Sequence, residues 1–167
     1  MQIKTNRILS IVIGNRYIGM AIFHGVELRD WFIKTLPGKN IKEKINNLDL
    51  IFHKLIQREM INIIAVKKQH SSRCSLNILK LNAAIRAFTK RKHLAIIDFP
   101  IEMIKKSLLV GKQNKKHLIE EVQRLYPVVY YEYKREKNNK SRYLTRMFEA
   151  IALGIVCNKK FGDKRKH

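Results

Sequence analysis

Acidic side chains are scarce in this chain, and they are absent from two long stretches. No Asp or Glu occurs from Met1 to Val26, and none from Met60 to Ile97. Across the 167 residues, 13 acids face 35 Lys and Arg, a formal charge of +22. A chain so short of carboxylates is expected to meet a polyanion. Nucleic acid is the first candidate and an anionic membrane surface the second. The second is disfavoured because no segment sets a compact Trp/Leu face over a Lys-rich one. Cysteine is equally sparse. Cys74 and Cys157 stand 83 positions apart, with neither C-x-x-C spacing nor the density of a secreted disulfide scaffold. Both are expected to be free thiols in a reducing compartment. No run of 18 apolar residues exists, so no membrane span is expected. Three prolines, seven glycines and no low-complexity tract leave no evident linker, and the length suits one domain.

What is present is a regular alternation of apolar segments. Arg7–His24 reads as two apolar strands joined at Gly14-Asn15-Arg16, where Gly and Asn tolerate the positive φ of a hairpin turn. The near-continuous apolar character of the first run suits a central strand covered on both faces. A third strand is expected over 27–36. Ile41–Glu59 repeats apolar residues at helical spacing. Ile61–Val66 is short and β-branched, a buried fourth strand. A helix over 75–92, a fifth strand over 94–98 and helices over 101–110 and 115–126 follow. Tyr130–Lys140 is charged and polar and reads as a surface segment or long loop. Residues 143–158 form a closing amphipathic helix, and Lys159–His167 a frayed basic tail. Hairpin-linked strands followed by strand–helix alternation imply an α/β fold with a mixed sheet flanked by helices.

Three groups of residues could carry chemistry. Lys67, Lys68, His70 and Arg73 crowd the loop at the carboxyl end of the fourth strand, where α/β folds place their sites. His70 has no carboxylate nearby in sequence to orient it, so a phosphate or backbone contact is its expected role. Gly111-Lys112-Gln113-Asn114-Lys115-Lys116 lacks Walker spacing and reads as a helix N-terminus with extra cations, a seat for phosphate. Tyr126, Tyr130, Tyr131 and Tyr133 interleave with Lys134, Arg135 and Lys137, a pattern that suits stacking on unpaired bases, with core and rim tyrosines as the plainer alternative. The six histidines show no metal-ligand spacing.

Ile8-Leu9-Ser10-Ile11-Val12-Ile13-Gly14-Asn15-Arg16-Tyr17-Ile18-Gly19 resembles the opening strand-turn-strand of the RuvC-type Holliday junction resolvases, in the ribonuclease H-like superfamily. Ile63-Ile64-Ala65-Val66 resembles that family's fourth strand. Pro100–Val110, with Gly111-Lys112 and Lys115-Lys116, resembles its helix, Gly-rich turn and Lys-bearing helix start. Met147-Phe148-Glu149-Ala150-Ile151-Ala152-Leu153-Gly154 resembles its closing helix. The likeness spans about Arg7–Val156. It implies a ribonuclease H-like domain over 1–158, with a basic tail over 159–167, and a five-stranded mixed sheet of three antiparallel strands and then two parallel ones. It also implies two Mg²⁺ ions about 4 Å apart that drive an in-line phosphoryl displacement.

That chemistry needs carboxylates, and the resemblance places them in the first strand, at the end of the fourth and twice in the last helix. The corresponding residues here are Val12, Lys67, Arg146 and Glu149. Only Glu149 is acidic. The expected reading is therefore a degenerate nuclease platform that grips branched or duplex DNA through Arg16, Lys67, Lys68, His70, Arg73, Lys112, Lys115, Lys116 and Arg146, with no cofactor. The plainer role for Glu149 is a salt bridge with Arg146 at i, i+3. One alternative is an active Mg²⁺-dependent endonuclease with a divergent site, using Glu149 with Asp98 or Glu102 as ligands and His70 assisting. Another is an RNA-binding module of the same fold. The resemblance further implies a homodimer. The expected location is the cytosol of a bacterial or phage-infected cell, with an organelle matrix as the alternative.

Overall fold

The computed structural model describes residues 5–70, 74–111, 113–138 and 143–165. Five strands form one sheet: β1 (Arg7–Ile13), β2 (Tyr17–His24), β3 (Glu27–Thr35), β4 (Ile63–Lys67) and β5 (Ala95–Phe99). Their spatial order is β3-β2-β1-β4-β5. The β1–β2 and β2–β3 pairs are antiparallel, while β4 runs parallel to both β1 and β5. This is the mixed sheet implied by the element order.

The central position of β1 explains its sequence. Side chains alternate across a strand. Ile8 and Val12 therefore enter one core, and Leu9, Ile11 and Ile13 enter the other. The first core lies under helices α3 (Ile101–Leu108), α4 (Lys115–Leu125) and α6 (Thr145–Arg165). The second lies under α1 (Ile41–Glu59) and α2 (Leu76–Arg91), where Leu48, Phe52, Leu81, Ile85 and Phe88 are buried. A strand with helices on both faces has no polar face to show, so its run is continuously apolar. Ser10 is the one polar side chain in β1 between its end residues. Its hydroxyl donates to the Ala150 carbonyl of α6 at 2.6 Å, so α6 is fastened to the sheet at this point.

Three segments differ from the sequence expectation. Tyr130–Asn138 is a helix, α5, rather than a loop. It lacks Gly and Pro, is rich in strong helix formers, and is pinned from outside: the Trp31 indole donates to Glu132 at 3.1 Å. Glu136 accepts from the Leu144 backbone N–H and the Thr145 hydroxyl, which joins α5 to the start of α6. The last helix does not stop at Asn158 but continues to Arg165, and Phe161 packs against the core beyond that point. The frayed tail expected from Lys159 is thus helix as far as Arg165. Finally, neither Gly14 nor Asn15 has positive φ; that conformation occurs at Gly25, Gly38, Gly111, Met60 and His93. Gly14 is small for a different reason. A β-carbon there would overlap the guanidinium of Arg146.

Candidate nucleic-acid interface

The carboxyl end of β4, the turn after β1, the first residue of α4 and the first turns of α6 meet at one end of the sheet. Close packing of α6 on the hairpin creates this meeting. A β-carbon on Gly19 would collide with the backbone of Arg146 and Met147, so the bare glycine lets the helix lie directly on β2. From that seat Arg146 lays its guanidinium over Gly14. Three residues later, Glu149 turns inward and is only 2% exposed.

A buried carboxylate requires cationic or hydrogen-bonding partners. Lys67, the last residue of β4, places Nζ 2.7 Å from one Glu149 oxygen. Lys115, the first residue of α4, places Nζ 3.6 Å from the other. Asn114 holds that helix start by accepting the His117 backbone N–H at 2.9 Å. The plainer pairing of Glu149 with Arg146 is not formed; the acid points to Lys67 and Lys115 instead. Val12 contributes only packing. It is buried in the core shared with Met147, Phe148 and Ile151.

The donor set can be tested against a pair of magnesium ions. Mg²⁺ needs hard oxygen ligands in near-octahedral array. The one carboxylate at the implied positions is engaged by two ammonium groups, Val12 offers no donor atom, and Arg146 brings a further cation. The substitute acids are committed elsewhere. Asp98 pairs with Arg86 of α2. Glu102 faces His70, Oε1 to Nε2 at 3.4 Å. Among the described residues no three His, Cys, Asp or Glu side chains converge. These residues do not fit a two-magnesium centre.

The remaining cations divide by surroundings. Arg16, Lys68 and Lys116 are exposed, and with Arg146 they make no ion pair among the described residues. Lys67 and Lys115 are tied to Glu149. His70 is exposed; no acid stands near it in sequence, but α3 brings Glu102 beside it in space. Glu102 sits in the first turn of that helix. A hydrogen bond from its own backbone N–H, reinforced by His70 and Lys105, holds its carboxyl below the usual range. Arg73 and Lys112 lie outside the described residues. Sequence reading missed the double role of Lys115 and the close approach at Gly14 and Gly19; two glycines flanking a strand turn were the available signal.

The sheet order, its two parallel pairings and the helix placement define a ribonuclease H-like fold. Solved structures it resembles include Holliday junction resolvases, and the fold is RuvC-like. Thermus thermophilus RuvC bound to a Holliday junction substrate superposes with a TM-score of 0.67 at 14% identity over 89% of each chain. The yeast mitochondrial Holliday junction resolvase gives 0.60 at 17% identity, covering 89% of this chain and 75% of that one. Fowlpox virus resolvase, solved with Holliday junction DNA, gives 0.58 at 17% identity, covering 92% and 99%. No family model and no curated protein matches the sequence. The likeness is one of fold. Among the described residues no helix is long and apolar enough to cross a membrane.

Proposed function

We propose that this chain binds branched DNA on a RuvC-like platform, and that it does so without two-metal cleavage or a resident cofactor. The observation that carries the reading is Lys67 Nζ at 2.7 Å from the buried Glu149 carboxylate. A lysine with this partner takes the position that the resemblance assigns to a metal-binding acid, and its ammonium occupies the space a cation would need. The formal charge of +22, and Arg16, Lys68, Lys116 and Arg146, which make no ion pair among the described residues, support contact with a phosphate backbone. Each phosphate they neutralise releases condensed counterions. Solved proteins of this fold have been captured on four-way junctions, which favours branched DNA as the substrate class. A two-fold junction suits a homodimer, which sedimentation of the protein–junction complex would reveal.

The test is competition at fixed salt among a four-way DNA junction, linear duplex DNA and structured RNA. The junction is expected to win, with log K falling against log[salt] at a slope of about −4, as four or five phosphate contacts require. Equal affinity for all three would reduce the chain to a general polyanion binder. Preference for RNA would support an RNA-binding module instead.

A further inference from the structure

Helix α5 has two faces, and among the described residues only one of them is used by the fold. Glu132, Tyr133 and Glu136 point inward. Glu132 accepts from Trp31 of β3, Tyr133 packs against the core under α6, and Glu136 caps the start of α6. The opposite stripe holds Tyr131, Lys134, Arg135 and Asn138, at i, i+3, i+4 and i+7. These four side chains line an open depression of about 340 Å³. Tyr131 is 79% exposed although it is a large aromatic on an anchored helix. Lys134 and Arg135 have no carboxylate partner among the described residues, and Lys134 leans over the Tyr130 ring at 5.9 Å from its centroid. An exposed aromatic beside two uncompensated cations is complementary to a base with its phosphates: the ring offers a stacking face and the cations neutralise the backbone.

Position gives this stripe a second connection to the site. Glu136 bonds to Leu144 and Thr145, immediately before Arg146. The carboxyl end of α5 therefore adjoins the turn of α6 that carries Arg146 and Glu149. We propose that the outward stripe of α5 is a subsite for an unpaired nucleotide of a DNA strand. Tyr131 stacks on the base, and Lys134 and Arg135 hold the flanking phosphates. This rests on the DNA-binding reading and adds to it: the platform holds the paired arms, and α5 takes a base that has left its stack.

The experiment uses the full chain and two labelled DNAs of equal length. One is a four-way junction with unpaired thymines beside the branch; the other is a fully paired duplex. Tyr131→Ala is expected to weaken binding to the first by about ten- to a hundred-fold, the range that base–aromatic stacking supports, and to leave the duplex unchanged. Tyr131→Trp is expected to restore binding. A 5-iodouracil placed among the unpaired thymines is expected to photocrosslink to wild type and not to Tyr131→Ala. Because Tyr131 is exposed, the variant should unfold at the wild-type midpoint, which separates loss of the subsite from loss of the fold. Equal losses on both DNAs, no loss on either, or a change in self-association with DNA affinity intact would each overturn the subsite. Wild-type protein that binds no DNA at all would overturn the underlying reading instead.

Discussion

Removing the Lys67 ammonium should leave a buried charge without its nearest partner. The two charges lie 2.7 Å apart, which corresponds to about 6 kcal/mol of attraction at an effective dielectric constant of about 20. Desolvation opposes most of that gain. Breaking such a pair from one side costs about 3–5 kcal/mol, chiefly because the remaining charge is stranded. Lys115 stands 3.6 Å from the other carboxylate oxygen and is about half exposed, so it offsets part of the loss. Lys67→Met should therefore destabilise the chain by about 3 kcal/mol, the lower end of that range. Glu149→Gln should cost about 1–2 kcal/mol, because Lys67 retains access to water and the amide can still accept a hydrogen bond. The combination Lys67→Met with Glu149→Leu should return most of the loss, since apolar residues of similar volume replace buried pairs at little cost. Urea unfolding followed by circular dichroism reads all of these as midpoint shifts at constant slope. With Glu149→Leu alone closing the cycle, a Lys67–Glu149 coupling energy below about 0.5 kcal/mol would refute the structural pair.

Other outcomes follow from single contacts. Gly19→Ala drives a β-carbon into the α6 backbone and should cost about 1–3 kcal/mol, whereas Gly14→Ala meets only the movable end of Arg146. Gly14→Ala should therefore weaken DNA binding more than it lowers the unfolding midpoint, and the reverse ordering would contradict the placement of Arg146. Ser10→Ala removes one hydrogen bond to an Ala150 carbonyl that keeps its place in the helical ladder, and should cost about 0.5–1.5 kcal/mol in the same urea assay. Burial pushes the Cys157 thiol up to about 12. The folded state thus holds this proton more tightly, so the stabilisation is complete below the unfolded-state value of about 8.5 and is lost as pH rises towards 12, at up to about 1.4 kcal/mol per pH unit. Cys157→Ala should flatten the stability profile over that window, and at pH 8 a thiol reagent should label native protein at Cys74 but not at Cys157.

The fold was legible because its signals are local. β1 has no polar face since it lies between two layers of helices, and Ile41–Glu59 shows its period because only one side of the helix is buried. α5 was not legible, since its polar sequence conceals a helix that is held by Trp31 from β3, 101 positions away from Glu132. The site followed the same division. That Val12, Lys67 and Arg146 are not acids, at positions where the resemblance expects acids, needed only the residues themselves. The partner of Glu149 could not, because local spacing offered Arg146 while packing of α6 delivered Lys67, 82 positions distant. Gly14 shows that a correct residue can be read for the wrong reason: the turn needs no positive φ there, and only the fold reveals the guanidinium above it.

The most direct test of the central claim is incubation of a labelled four-way junction with stoichiometric protein in Mg²⁺ or Mn²⁺, with binding and strand scission followed in the same sample. The complex is expected to persist and to be salt-sensitive, with its strands intact in either metal. Metal-dependent nicking that disappears in Glu149→Gln would contradict it.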